Sequence, residues 1–165
     1  MLDRIRESVF SILHQRLDGA RVLDLFAGSG SLGLEALSRG AESALFVEQD
    51  RGALAVLKKN IADLRLEEWA KAVGGDALSP LSWGDGADVI LMDPPYPLLR
   101  SGTTRSKVFE ATRELGRKIL APDGVILFHA PRGEVREREF GDELAASNRE
   151  YGTSAIWFLE HVESE

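Results

Sequence analysis

Asp24-Leu25-Phe26-Ala27-Gly28-Ser29-Gly30-Ser31-Leu32-Gly33 follows a short apolar run and leads into a helix-like segment. Its glycines match the pattern G-x-G-x-x-G, in which glycine lets the backbone approach a ligand and the following helix offers free N–H groups. A strand, a glycine turn and a helix in this order are typical of α/β sheets that bind ligands at the turn. A plain strand–helix turn is the alternative interpretation.

Strand-like and helix-like segments alternate along the rest of the chain. Strands are predicted over 21–26, 43–48, 70–74, 87–92 and 125–129, and helices over 3–17, 32–38, 51–64 and 107–120. The proline-containing residues 93–106 are expected to form a loop, Pro122 and Gly124 are expected to end the preceding helix, and residues 144–151 and 154–161 are expected to form an antiparallel hairpin. The alternation predicts an α/β fold, a mostly parallel sheet with helices on both faces, in one domain over 1–165 with the helix of residues 1–18 packed on it.

Composition excludes several kinds of site. The chain has no cysteine, which excludes disulfides, thiolate zinc sites and cysteine nucleophiles, and its three scattered histidines do not make a metal cage, so no metal is expected. The N-terminal residues lack an apolar signal core, and the longest apolar runs, such as residues 89–92, are far shorter than a membrane span. We expect a soluble, cytoplasmic monomer with no membrane partner.

Three acidic residues, Asp24, Glu48 and Asp76, lie at the ends of successive predicted strands, where open α/β sheets bind ligands. Asp24 suits the cationic amine of S-adenosylmethionine, Glu48 its ribose hydroxyls and Asp76 its adenine amine. A turn or helix cap is an alternative role for Asp76. The other predicted cofactor-binding residues are Phe26, Ala27, Gly28, Ser29, Gly30, Gly33, Gln49 and Ala77.

Asp93-Pro94-Pro95-Tyr96 directly follows the most apolar predicted strand and so emerges at the same edge. Because two prolines fix two φ angles, the segment presents its carbonyl groups rigidly. Asp93 and the Pro94 carbonyl can accept both hydrogens of an exocyclic amino group, and Tyr96 offers a ring on which a base can stack. Such acceptors restore the nitrogen lone pair and stabilise the charge that develops during attack. The motif predicts Asp93, Pro94 and Tyr96 as catalytic residues in direct methyl transfer to an NH2 group.

A basic run follows this motif. Residues 100–118 hold six lysines or arginines against two acidic residues, although the whole chain has a net charge of −7. A nucleic-acid partner needs only one basic face. The predicted substrate-binding residues are therefore Pro95, Arg100, Arg105 and Lys107, with a merely solvated helix face as the alternative.

Together these motifs resemble those of the bacterial 16S ribosomal RNA guanine-N2 methyltransferases, a Rossmann-like class I family. The likeness runs nearly end to end and rests on residues 3–10, 24–37, 93–96 and 151–153 with Glu48, Asn60 and Asp76. The resemblance implies a seven-stranded sheet of order 3-2-1-4-5-7-6 with the last strand antiparallel. It also implies S-adenosylmethionine as cofactor, S-adenosylhomocysteine as product, and ribosomal RNA or the small ribosomal subunit particle as partner.

The chain departs from that family at its N-terminus. Family members usually begin with a basic, glycine-rich arm ahead of the helix that starts at Asp3, and that arm is absent from this sequence. We therefore expect Met1 to be an internal methionine of a longer natural protein.

Other functions remain open at this point. One alternative is an amino-methyltransferase that acts on DNA adenine or cytosine, or on transfer RNA. Another is a protein glutamine N-methyltransferase, although such enzymes usually have Asn where Asp93 stands. A nicotinamide-dependent dehydrogenase is disfavoured because its fold usually carries an apolar residue in place of Asp24. A non-catalytic RNA-binding module is disfavoured because both motifs are intact. His129, at the end of the fifth predicted strand, is expected to pack rather than to act.

Overall fold

The computed structural model describes residues 1–164, which form a seven-stranded sheet with helices on both faces. The chain runs through α1 (Asp3–Leu17), β1 (Arg21–Leu25), α2 (Ser31–Ser38), β2 (Ser43–Glu48), α3 (Arg51–Asp63), β3 (Ala70–Gly74), β4 (Ala87–Met92), α4 (Tyr96–Arg100), α5 (Gly102–Lys118), β5 (Leu120–Pro131), β6 (Leu144–Tyr151) and β7 (Ser154–His161). Within these residues, no helix has both the length and the apolar character that a membrane crossing requires.

The strand order is β3-β2-β1-β4-β5-β7-β6. Neighbouring strands from β3 to β5 are parallel, whereas β7 runs antiparallel to both β5 and β6. The predicted fold class and strand order are confirmed. Because β1 to β5 are parallel, their carboxyl ends share one edge of the sheet.

Two apolar cores lie on opposite faces of the sheet, and β4 contributes to both. Val89 and Leu91 pack in the core that contains α1, α2 and α3, whereas Ile90 and Met92 pack in the core that contains α4 and α5. This alternation follows from the two-residue period of a strand, and it explains why β4 is almost entirely apolar. The most apolar of the predicted strands is thus buried on both of its faces.

The segment after β4 differs from its prediction. Most of residues 93–106 is helical, since α4 begins at Tyr96 and α5 begins at Gly102, five residues before the predicted start. Pro97 lies in the first turn of α4, where a helix does not need the missing N–H. The hydroxyl of Thr104 donates to the Leu98 carbonyl at 2.9 Å and joins the two helices.

The helix α5 also ends earlier than predicted, at Lys118, and β5 begins at Leu120. Pro122 and Gly124 therefore lie within the first part of the strand instead of ending the helix. The pairing between β4 and β5 shifts register between Ala87 and Val89, opposite this part of β5. Such an irregularity accommodates a residue that cannot donate to the ladder.

Candidate active site

A cavity of about 610 Å³ opens at the carboxyl edge of the sheet. Its wall includes four of the predicted cofactor-binding residues, Phe26, Glu48, Gln49 and Ala77, and all of the segment 93–96. Cavities of roughly 300–1,000 Å³ are typical of small-molecule sites. The structure thus places four predicted cofactor-binding residues and the predicted catalytic segment around one cavity.

Three side chains clamp the glycine turn between β1 and α2. Glu48 Oε1 accepts a hydrogen bond of 2.9 Å from the N–H of Gly28, and Asp24 Oδ2 accepts one of 2.9 Å from the N–H of Gly33. Asn60 donates its side-chain amide hydrogen to the Ser29 carbonyl at 3.0 Å. These bonds come from β1, β2 and α3, so the turn is fixed by three separate elements.

The turn requires glycine at Gly30. Its φ is +88°, and a Cβ atom there would lie 2.3 Å from Cδ1 of Leu57. Phe26 is also left-handed, with φ of +58°, although it carries a side chain. A non-glycine residue in this conformation costs about 1–3 kcal/mol, and such strain concentrates at functional sites. Phe26 lines the cavity, which places this strain where a ligand would lie.

Asp24 lies beneath the turn and outside the cavity wall, with 1% of its surface exposed. Burial raises the pKa of Asp24 well above its ordinary value of 3.8; the hydrogen bond from Gly33 lowers it, and the charges of Asp93 and Glu48 raise it further. Contact between Asp24 and a ligand amine therefore stays a prediction. In the structure, Asp24 stabilises the turn by accepting the hydrogen bond from the N–H of Gly33.

The remaining predicted cofactor residues are not among those that line the cavity. Asp76 is exposed, and its Oδ1 accepts a hydrogen bond of 2.9 Å from the N–H of Leu78, which is the turn role named as the alternative. The cavity wall also lacks the residues of the glycine turn, which are Ala27, Gly28, Ser29, Gly30 and Gly33. Their contacts with a cofactor stay predictions.

At the other side of the cavity, Asp93 contacts a histidine. Oδ1 of Asp93 lies 2.8 Å from Nδ1 of His129, and Nε2 of the same ring lies 3.0 Å from the hydroxyl of Ser154. The Tyr96 hydroxyl lies 3.4 Å from that Nε2, and the two rings meet edge to face at 5.8 Å between centroids. His129 is expected to pack in the core, and the structure shows that it also contacts Asp93.

The sequence contains a signal for this contact. Met92 and Phe128 are register partners on the parallel strands β4 and β5, so the residues that follow them, Asp93 and His129, are neighbours too. Finding the pair requires the strand order as well as the motif.

The basic run is largely occupied by ion pairs and hydrogen bonds. Arg105 donates to both carboxylate oxygens of Glu139, at 3.0 and 2.8 Å, and to the Leu99 carbonyl at 2.7 Å. Arg100 lies over the Tyr96 ring and 3.6 Å from a Glu134 carboxylate oxygen. Arg113 donates to the backbone carbonyl of Glu139 at 2.7 Å, whereas Arg117 and Lys118 pair with the carboxylates of Glu143 and Glu114.

Arg105 thus braces α5 against the turn at Glu137–Phe140, instead of offering a free charge to a phosphate. Lys107 is exposed and forms no ion pair within residues 1–164, and Pro95 is exposed in the cavity wall. The basic surface next to the cavity is smaller than the count of charges suggests. Within residues 1–164, no group of three or more His, Asp or Glu side chains is arranged to hold a metal ion.

The sequence model of the family described as "Conserved hypothetical protein 95" matches residues 1–160. The chain belongs to this family. YlbH of Bacillus subtilis (strain 168), provisionally named an rRNA methyltransferase, is 33% identical over 158 aligned residues, covering 93% of this chain and 83% of YlbH.

Two further similarities point the same way. Ribosomal RNA small subunit methyltransferase D of Escherichia coli (strain K12) is 43% identical over 95 residues, covering 57% of this chain and 48% of that protein, about half its length. The solved structure of yhhF from Escherichia coli, provisionally titled a methyltransferase, has a TM-score of 0.82 and 29% identity, covering 98% of this chain and 87% of that one. This member of the Conserved hypothetical protein 95 family is therefore a methyltransferase, and the predicted resemblance to the 16S ribosomal RNA methyltransferases is confirmed.

Proposed function

We propose that the chain transfers a methyl group from S-adenosylmethionine to the exocyclic N2 of a guanine in 16S ribosomal RNA. The observation that carries the proposal is the shared cavity, which Asp93-Pro94-Pro95-Tyr96 lines together with four of the predicted cofactor residues. The likeness to a protein named for small-subunit ribosomal RNA supports this substrate.

The residues at the cavity fit a cationic cofactor. Glu48 and Asp93 both line the cavity, and their charges reach the buried Asp24, whose pKa they raise. Two carboxyl groups in the wall can therefore face a cationic ligand. S-adenosylmethionine supplies an electrophilic methyl group on a positively charged sulfonium. We assign cofactor contacts to Phe26 and Glu48 in the wall, where Glu48 retains acceptor capacity beyond its bonds to the N–H groups of Gly28 and Asp50.

The chemistry belongs to the segment 93–96. Asp93 and the Pro94 carbonyl would accept the two hydrogens of the guanine amine and so raise the availability of its lone pair. Tyr96 would stack on the base, which is worth about 1–3 kcal/mol. The proton released after methyl transfer would pass to Asp93 or to solvent. This account uses neither a metal nor a covalent intermediate.

Purified protein incubated with isotopically labelled S-adenosylmethionine tests the proposal. The substrates are 16S ribosomal RNA and small subunits from a strain lacking the gene, with Asp93→Ala as the negative control and nucleoside mass spectrometry as the readout. The proposal predicts label in N2-methylguanosine with at least one of the two substrates. Label in N6-methyladenosine or N4-methylcytosine, or none in either substrate, would contradict it.

Calorimetry separates the two alternatives that are not methyltransferases. S-adenosylhomocysteine is expected to bind, and NAD is not. Binding of NAD alone would favour a dehydrogenase, and binding of neither ligand would favour a non-catalytic module.

A further inference from the structure

We propose that His129, anchored by Ser154, is a positioning residue that fixes the carboxylate of Asp93 for methyl transfer. This inference rests on the proposed function, because it assigns Asp93 to the reacting amine. His129 lies outside the segment 93–96 and also lines the cavity. Both of its ring nitrogens already have partners, Asp93 and Ser154, so we assign it an action on the substrate through Asp93.

The three residues follow one another across three adjacent strands. Asp93 directly follows β4, His129 lies in β5 opposite Ile156 of β7, and Ser154 is the first residue of β7. β5 is paired with β4 on one side and with β7 on the other, so the sheet itself sets the spacing of the three side chains. The imidazole of His129 is therefore held between two strands, β4 and β7, whose positions the sheet fixes.

The hydrogen bonds determine where the imidazole proton lies. A carboxylate only accepts, so the contact between Asp93 and His129 requires the hydrogen on Nδ1. In the neutral ring, Nε2 is then an acceptor, and the Ser154 hydroxyl donates to it. The ring is 4% exposed, which leaves little room for another orientation.

This arrangement divides the two oxygens of Asp93 between two tasks. Within residues 1–164, the bond with His129 is the one side-chain hydrogen bond that the structure gives Asp93, and it uses Oδ1. Oδ2 keeps its full capacity to accept from an amine. Asp93 itself lines the cavity.

The same ring also contacts the aromatic member of the motif. Because the Tyr96 hydroxyl lies 3.4 Å from His129 Nε2, a shift of the ring would disturb both Asp93 and Tyr96. Misplacement of a reacting group by about 1 Å can cost about 100-fold in rate. A positioning role for His129 is therefore expected to affect kcat strongly.

The order Asp93, His129, Ser154 also matches that of a hydrolytic triad. Ser154 is 8% exposed and does not line the cavity, so its hydroxyl has no access to a substrate there. The serine serves as the anchor of the ring.

Two variants separate the two contacts of the ring. In His129→Asn, the amide nitrogen can take the place of Nδ1 and keep the bond to Asp93; in His129→Gln, the amide reaches the place of Nε2 and keeps the bond to Ser154 alone. We expect His129→Gln to lower kcat by about 100-fold with an unchanged KM for S-adenosylmethionine, and His129→Asn to retain most of kcat. Equal losses in the two variants, or none in His129→Gln, would overturn the inference. Thermal melting and calorimetry with S-adenosylhomocysteine check that each variant is folded.

A second measurement does not depend on the RNA substrate. In 15N-labelled wild-type protein, NMR is expected to show a proton on Nδ1 of His129, held there by Asp93, and a loss of that preference in Asp93→Ala. A wild-type ring without a proton on Nδ1 would overturn the inference even if methylation occurs. If Nδ1 is protonated but neither RNA substrate is methylated, the proposed substrate fails while the contact between His129 and Asp93 stands.

Discussion

Asp24 Oδ2 accepts a hydrogen bond of 2.9 Å from the backbone N–H of Gly33, beneath the turn that starts α2. The bond ties the end of β1 to the first turn of the helix and so fixes the glycine turn. Burial of Asp24 works against its charge, because it raises the pKa of the carboxyl well above 3.8. The site therefore keeps an acidic group whose ionisation destabilises the fold.

Asp24→Asn is expected to stabilise the chain at pH 8 and to stabilise it less at pH 5. Burial raises the pKa of Asp24 in the folded state above its value in the unfolded state. The contribution of this carboxyl group to stability is therefore fully present below the unfolded-state pKa, and it is lost as pH rises through the folded-state pKa. The asparagine oxygen still accepts from the N–H of Gly33 without carrying a charge. Denaturant unfolding at several pH values measures the difference.

Asp88→Asn provides a control of opposite sign. Partial burial raises the pKa of Asp88, but its hydrogen bonds with the backbone N–H and side chain of Arg21, together with the Arg21 charge, outweigh that effect and hold the pKa below 3.8. This stabilisation is present above the unfolded pKa and is lost only as pH falls through the folded pKa. Asp88→Asn is therefore expected to destabilise the chain similarly at pH 5 and pH 8. For Asp24→Asn itself, a gain in the free energy of unfolding that is the same at pH 5 and pH 8 would contradict a cost from burying the Asp24 charge.

Gly33→Ala is expected to destabilise the fold by about 1–3 kcal/mol and to weaken binding of S-adenosylhomocysteine. A Cβ at Gly33 would lie 2.3 Å from Cε1 of Phe46 and 2.9 Å from Oδ2 of Asp24. Gly102→Ala is the matched control, because a Cβ there meets no atom within 4 Å and the position begins α5. Chemical denaturation and calorimetry report the two quantities. Equal effects from both substitutions would argue against close packing at the turn.

Asp93→Ala is expected to keep cofactor binding and to lower methyl transfer by about 100- to 1,000-fold, as for loss of one group that stabilises charge in a transition state. Calorimetry with S-adenosylhomocysteine and single-turnover kinetics measure the two effects. Asp63→Ala serves as the control, since Asp63 is exposed on α3 and pairs only with Lys59 among residues 1–164. Wild-type turnover in Asp93→Ala would remove Asp93 from the reaction.

Arg105→Ala and Lys107→Ala are expected to act on different quantities. Loss of the Arg105 contacts to Glu139 and Leu99 should cost about 2 kcal/mol in the free energy of unfolding. Lys107→Ala should leave that free energy nearly unchanged and reduce the salt dependence of RNA binding. Filter binding at several salt concentrations, beside denaturant unfolding, tests both. A stability loss from Lys107→Ala with none from Arg105→Ala would reverse the assignment.

The sequence predicts well those features that depend on local pattern. The alternating strand and helix periods give the bounds of β2, β3, β4, β6 and β7 correctly, and the motif at residues 93–96 lies in the cavity wall as expected from a strand that ends at the carboxyl edge. Proline and glycine misled the prediction after β4. Pro97 and Gly102 mark helix starts there, whereas composition alone favours a loop.

What the sequence does not reveal depends on distant partners. Arg105 meets Glu139 across 34 positions, so a count of local charges overestimates the free basic surface. His129 meets Asp93 across 36 positions; the implied strand order already places β4 beside β5, but the register that makes the two residues neighbours comes from the structure. Asp24 stands where a ligand-facing acid is expected, but the packing of α2 over β1 buries it.

The most direct test of the proposed activity is nucleoside analysis of 16S ribosomal RNA from a strain that lacks the gene. The account predicts loss of one N2-methylguanosine, which returns when the wild-type gene is supplied and does not return with Asp93→Ala. An unchanged content of N2-methylguanosine in the deletion strain would contradict it.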